Sequence, residues 1–138
     1  MLDLHSRPPV KLSAISDASE IIGIQRQIDE VFCSPELKGY IIDLVRQSRM
    51  HGDLVLGASP RAAINLMKAG RANALLQGRS FLTHEDIQAV ALLVLGHRLI
   101  LKPESEMDGK TVEAVIQQLV QSVGSLHFIL WPKPLWRF

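Results

Sequence analysis

Apolar residues recur along most of this chain at intervals of three and four, which is the spacing of one face of an α-helix. A capping box at Asp17 and Glu20, followed by such a stripe, predicts a helix over 18–31. Ser34 as N-cap and Pro35 at the first helical position predict a second helix over 35–49. The stripe of this second helix consists of Leu37, Ile41, Leu44, Val45 and Ser48.

A third helix is predicted over 60–77, with Ser59 as its N-cap and Pro60 at its first position. We expect the Ser59 hydroxyl to accept a hydrogen bond from an amide of the first helical turn. Small residues crowd the apolar face of this helix, which favours close approach by neighbouring helices. Asn73 lies on that face, and we expect it to be a buried hydrogen-bonding residue rather than a ligand contact.

A fourth helix is predicted to begin at Thr83 and to end at Gly96. Glu85 and Asp86 lie in its first turn, where carboxylates stabilise the helix dipole and need no catalytic role. His97 follows the helix without a second metal ligand at helical spacing, so a structural hydrogen bond is expected there and no metal site.

The segment 98–102 has the pattern of a short strand and can pair with 54–56. The segment 103–110 is expected to be a polar loop, and a fifth helix is predicted to open at Thr111. The predicted fold class is therefore all-α, a small bundle of about five helices that leaves room for a two-stranded ribbon.

The pattern divides the chain into a linker over 1–15, a helical domain over 16–123 and a tail over 124–138. Pro8 and Pro9 disfavour helix in the linker. The tail carries four aromatic residues, Phe128, Trp131, Trp136 and Phe138. Its sequence is compatible with a docking strip for a partner, with a tail folded on its own core, and with the remnant of a truncation.

The composition is that of one ordinary globular domain, with 47% hydrophobic and 21% charged residues in 138. The formal net charge of +1 favours neither nucleic acid nor a membrane surface as a partner. Cys33 has no second cysteine, and we expect it to be a small apolar residue near a helix end. Neither a secretory leader nor a membrane span is recognisable, so a cytoplasmic location without membrane insertion is expected.

Arg61 stands in an electrostatically unfavourable place, because the N-terminus of a helix carries a partial positive charge. The same helix end attracts phosphate groups. The sequence therefore allows two interpretations: a guanidinium presented beside a phosphate-binding helix end, or a capped helix whose second residue is a solvated arginine.

Several blocks of sequence, in order, carry a resemblance to one family. They are Tyr40 to Arg46 with Ser48 and Arg49, Gly57 to Ala62, Arg71 to Arg79, Leu82 to Asp86, and Val94 to Leu99. Over roughly residues 15 to 122 the chain resembles the C-terminal lid domain of MoxR-type AAA+ ATPases. The resemblance implies that Arg61 is the sensor-2 arginine, which reaches the γ-phosphate of ATP, and that Ser59, Pro60 and Arg61 contact the nucleotide.

The resemblance also implies a parent protein that forms a ring and acts like a chaperone on a client that the sequence does not identify. ATP and Mg²⁺ would be held by a separate nucleotide-binding domain. This chain lacks the GxxxxGK[ST] loop that cradles phosphates and a strand ending in paired carboxylates for Mg²⁺. We therefore expect the isolated chain not to hydrolyse ATP.

Two alternatives come from other classes of protein. The basic residues Arg61, Lys68, Arg71 and Arg79 allow a helix-turn-helix to be drawn from the third and fourth helices. The long connection after Gly78 and the low net charge argue against that interpretation, so specific nucleic-acid binding is not expected. A plain interaction module, binding a partner through the aromatic tail, ranks between this alternative and the lid.

Overall fold

The computed structural model describes residues 12–130, with side chains through Val123, as six helices and a two-stranded antiparallel sheet. The elements are α1 (Ala18–Glu30), α2 (Pro35–Met50), β1 (Leu54–Leu56), α3 (Pro60–Leu76), α4 (His84–Leu95), β2 (Ile100–Leu101), α5 (Pro103–Met107) and α6 (Val112–Leu130). The predicted all-α bundle and its short ribbon are confirmed.

The first two helices begin where their capping residues predict. The Asp17 carboxylate accepts from the backbone N–H of Glu20 at 2.8 Å, and the Ser34 hydroxyl accepts from that of Leu37 at 3.2 Å. These bonds satisfy amides that a helix start would otherwise leave unpaired. The helix starts were therefore readable from local sequence.

The core lies between α2, α3, α4 and α6. Its most buried side chains have no exposed surface and include Tyr40, Leu44, Ala62, Leu66, Ala74, Ile87 and Leu95. At Gly70 of α3, an added Cβ would lie 2.7 Å from Ile87 Cδ1 and 2.9 Å from Leu82 Cδ1. The small residues of α3 thus permit the close approach of α4 that the sequence predicted.

The ribbon pairs Leu54 with Leu101 and Leu56 with Ile100, with an irregularity between the two pairs. The N–H of Lys102 extends the pairing by donating to the Asp53 carbonyl at 2.8 Å. The predicted pairing of 54–56 with 98–102 is confirmed over these residues.

The segment 103–110, predicted to be a loop, contains the short helix α5, so that prediction was wrong. Ser105 of α5 is buried, and its hydroxyl donates to Asp53 Oδ1 at 2.9 Å. Lys110 Nζ lies 2.7 Å from the same carboxylate oxygen. A carboxylate about fifty residues away in sequence therefore anchors this turn of helix, and local sequence does not reveal such an anchor.

α6 runs through Leu130 and so crosses the predicted boundary between 123 and 124. The division into linker, domain and tail remains a prediction, since residues 1–11 and 131–138, with Trp131, Trp136 and Phe138, lie outside the described residues. No helix in the described range is both long enough and apolar enough to cross a membrane.

Candidate functional site

The turn between β1 and α3 is held against the end of α2 by two consecutive side chains. Ser48 is fully buried, and its hydroxyl accepts from the N–H of Ala58 at 2.9 Å while donating to the Val45 carbonyl at 2.7 Å. Arg49 Nε donates to the carbonyl of Ala58 at 2.8 Å. Both backbone polar groups of Ala58 are thus bound by α2, and we call this arrangement the Ala58 clamp.

Gly57 makes the clamp sterically possible. A Cβ at this position would lie 2.6 Å from Arg49 Cα and N and from the Ser48 carbonyl oxygen. All three are backbone atoms, which cannot rotate away as a side chain can. A side chain at Gly57 would therefore push the turn off α2.

Ser59 occupies the N-cap position of α3, but its side chain forms no capping hydrogen bond. The expectation that its hydroxyl caps the helix is therefore wrong. Instead, the Ser59 carbonyl accepts from the N–H of Ala62 at 2.9 Å, and Pro60 stands at the first helical position. The clamp and the fixed φ of proline define the helix start, so the hydroxyl is not needed for it.

Arg61 is exposed in the first turn of α3, which contains no acidic residue. Among the side chains that the structure describes, those of residues 12–123, it has no ion-pair or side-chain hydrogen-bond partner. Its charge therefore adds to the positive end of the helix dipole, and no described side chain supplies a paired counter-charge. Such a site attracts anions, and phosphate above all.

An open groove runs along α2 and α3 beside this turn. Its upper part has a volume of about 350 Å³ and is lined by Ile42, Val45, Arg46, Arg49, Pro60 and Ala63. A second part of about 220 Å³ shares Ile42 and Ala63 and extends to Lys38, Ile41, Ile64 and Met67. The groove is thus lined by apolar residues together with the basic residues Lys38, Arg46 and Arg49.

The other end of α3 is held by a buried carboxylate. Asp86 is 1% exposed and accepts from both terminal nitrogens of Arg79, at 2.6 and 2.7 Å, and from Asn73 Nδ2 at 2.8 Å. The Arg79 guanidinium holds the pKa of Asp86 well below its usual range, although burial alone would raise it. The structural role predicted for Asn73 is confirmed, and Arg79 is occupied by an ion pair.

Cys33 and His97 lie outside this turn. Cys33 is buried, and burial raises the pKa of its thiol. His97 is exposed, and the structural hydrogen bond expected for it is not seen among the described residues. No group of three His, Cys, Asp or Glu side chains within the described chain could hold a metal ion.

Ser48 and Arg49 are the residues of this site whose contacts sequence reasoning missed. A signal existed at Ser48, because a hydroxyl on an otherwise apolar helical stripe needs a hydrogen-bond partner when buried. The partner lies ten residues further on, across a turn whose course depends on Gly57. The contact could therefore not be assigned from spacing.

Comparison with known proteins points to one family. A family model described as the AAA lid domain matches residues 46–119, more than half of the chain. An uncharacterized protein of Bacillus subtilis (strain 168), YeaC, is 36% identical over 122 residues, which cover 88% of this chain and 38% of that protein. Chaperone MoxR1 of Mycobacterium tuberculosis is 28% identical over 125 residues, covering 84% of this chain and 33% of its own length.

The fold also matches a solved structure. The crystal structure of a candidate ATPase from Cytophaga hutchinsonii has a TM-score of 0.72 and 33% sequence identity to this chain. The match covers 75% of this chain and 34% of that one. The chain therefore spans little more than a third of the length of these relatives.

Proposed function

This chain belongs to the AAA lid domain family and is of the MoxR type, and from that premise we propose that it closes over ATP held by a nucleotide-binding domain. In this proposal Arg61 is the sensor-2 arginine of a chaperone-like AAA+ ATPase. The observation that carries it is the exposed guanidinium at the start of α3, which has no partner among the described residues.

The residues at this helix start fit the terminal phosphates of ATP. The first turn of α3 has a positive dipole end and no carboxylate to repel an anion. The Ser59 side chain is exposed and not used as a cap, so it is free to face a ligand beside Pro60 and Arg61. When bound, ATP supplies the phosphoanhydride bond, with Mg²⁺ held by carboxylates of the other domain.

Arg61 would contribute electrostatic stabilisation. A guanidinium that is already placed near the terminal phosphate stabilises charge developing there without reorganising during the reaction. Because no carboxylate among the described side chains pairs with Arg61, its full charge is available for this role. We further propose that the partners are the nucleotide-binding domain and neighbouring copies in a ring, in the cytoplasm.

The test is a chimera in which this chain replaces the matching segment of the Bacillus subtilis relative. We expect Arg61→Ala to lower kcat for ATP hydrolysis by roughly 100-fold, since one transition-state contact of this kind carries that much. Lys68→Ala, which removes another exposed cation from α3, is the matched control and should leave kcat unchanged. Equal hydrolysis by both variants would refute the role of Arg61.

A stability measurement on the isolated chain separates this role from a folding role. Removing the unpaired Arg61 should be neutral or should stabilise the domain by a few tenths of a kcal/mol, because its charge opposes the helix dipole. Denaturant midpoints of wild type and Arg61→Ala give the answer. A clear loss of stability together with unchanged hydrolysis would assign Arg61 to the fold instead.

A further inference from the structure

We propose that Ser48 and Arg49 are positioning residues for Arg61, acting through the Ala58 clamp. The inference rests on the proposed function of Arg61 and adds to it the residues that decide where its guanidinium stands. Ser48 and Arg49 lie at the end of α2, and neither needs to touch a nucleotide for this role.

The clamp uses both backbone polar groups of one buried residue. Ala58 is 1% exposed, so its N–H and carbonyl have little access to water. They are bound by Ser48 Oγ at 2.9 Å and Arg49 Nε at 2.8 Å. A buried backbone group without a partner is costly, so the turn is strongly held in this one arrangement.

The chain from the clamp to Arg61 is short and stiff. Only two residues, Ser59 and Pro60, separate Ala58 from Arg61, and Pro60 has a fixed φ. Gly57, on the other side, touches the backbone of α2 and leaves the turn no space to shift in that direction. The place of Ala58 on α2 therefore sets the place of the first turn of α3.

No side-chain cap duplicates this function. The Ser59 hydroxyl makes no bond to the amides of α3, whereas the starts of α1 and α2 are each fixed by a capping side chain. The start of α3 thus depends on α2 more than on its own cap. Arg49 can hold the turn against α2, because its long side chain lets Nε reach the Ala58 carbonyl from an exposed position on that helix.

A double-mutant cycle in the ATP-hydrolysing chimera tests the proposal. We expect Arg49→Met to lower kcat by about ten- to a hundredfold with little change in KM, as misplacement of a catalytic group does. Arg49→Gln, which keeps an N–H donor, should recover part of the loss. Combined with Arg61→Ala, Arg49→Met should have no further effect on kcat, because Arg49 acts only through Arg61.

Arg46→Met is the matched control, because Arg46 is exposed on the same helix and lines the same groove but forms no bond to Ala58. It should leave kcat unchanged. The positioning role would be overturned if the fold-losses in kcat of Arg49→Met and Arg61→Ala multiplied in the double variant. It would also be overturned if Arg46→Met and Arg49→Met lowered kcat equally.

A second measurement follows the turn itself in the isolated chain. Amide order parameters of residues 57–59, 61 and 62 should fall in Arg49→Met and in Ser48→Ala from the rigid value of about 0.85, while those of α4 stay unchanged. An equally rigid turn would overturn the proposal. If Arg61→Ala hydrolyses ATP at the normal rate, the proposed function itself is refuted. If Arg61→Ala is slow but Arg49→Met hydrolyses ATP normally, only the positioning role of the clamp is refuted.

Discussion

Ser34 and Ser59 both precede a proline that opens a helix, but only Ser34 uses its hydroxyl as a cap. We expect Ser34→Ala to lower the free energy of unfolding by about 1 kcal/mol, since it removes the bond to the N–H of Leu37. Ser59→Ala should stay within about 0.5 kcal/mol of wild type, as exposed substitutions without a cap role do. Urea midpoints of the two variants make the comparison, and equal losses would mean that Ser59 caps α3 in solution.

Asp86 forms the shortest ion pair among the described residues, with 2.6 Å between its carboxylate and Arg79. Asp86→Asn keeps the shape but removes the charge that binds Arg79, which is 26% exposed against 1% for the carboxylate. We expect the free energy of unfolding to fall by about 2–3 kcal/mol at pH 7, because a nearly buried ion pair loses one partner. Asp29→Asn, an exposed carboxylate on α1, is the control and should change it by less than about 0.5 kcal/mol.

The stabilisation from Asp86 also has a defined pH dependence. Its native pKa lies below the ordinary value of 3.8, so the unfolded chain takes up the proton first as the pH falls. The contribution is therefore complete well above pH 4 and is lost progressively below it. Chemical denaturation at pH 7 and pH 3 should show wild type approaching Asp86→Asn at the lower pH. If the difference in unfolding free energy between wild type and Asp86→Asn were the same at both pH values, the lowered pKa of Asp86 would be contradicted.

The helices show how far local sequence specifies this fold. The starts of α1, α2, α3 and α4 were predictable because a capping residue or a proline lies at the first positions of each helix. One member of the hydrogen-bond network at Asp86 was predictable, because Asn73 on an apolar helix face requires a hydrogen-bond partner. Its other partner, Arg79, was grouped with the exposed cations, because the sequence does not show which side chain the guanidinium meets across the connection after Gly78.

The contacts that sequence did not reveal all join separate elements. α5 depends on Asp53 before β1, and the Ala58 clamp joins the end of α2 to the turn before α3. Each is a hydrogen bond whose partners are near in space only after the bundle has formed. Local propensity and periodicity carry no information about such pairs.

The close packing of the turn against α2 can be tested by substitution at Gly57. Gly57→Ala should destabilise the domain by about 2–3 kcal/mol, because the new Cβ would lie 2.6 Å from backbone atoms of Ser48 and Arg49. Gly52→Ala, in the same connection, meets no atom within 4 Å and should be nearly neutral. Thermal unfolding of both variants gives the difference, and a neutral Gly57→Ala would mean that the turn does not rest on α2.

At the scale of the whole domain, α3 is fixed at both ends. Its start is held to α2 through the Ala58 clamp, and its last turns are held to α4 through Asn73 and Asp86. Seventeen residues of helix span about 25 Å, and the two anchors hold the helix over most of that length. A helix held in this way can present Arg61 in one defined place, which suits contact with a ligand that another domain holds.

The distribution of charge bears on nucleic-acid binding by the same molecule. Of the four basic residues behind the helix-turn-helix alternative, Arg79 is paired with Asp86 and Arg71 is half-buried, which leaves Arg61 and Lys68 exposed. Two phosphate contacts without base readout give weak binding that fades as salt rises. We therefore expect fluorescence anisotropy to show a loss of affinity of about tenfold between 50 and 200 mM salt, and no sequence preference. An Arg61→Ala, Lys68→Ala double variant should abolish the remaining DNA binding. A sequence bound about 1,000-fold better than random DNA at physiological salt would establish the helix-turn-helix alternative instead.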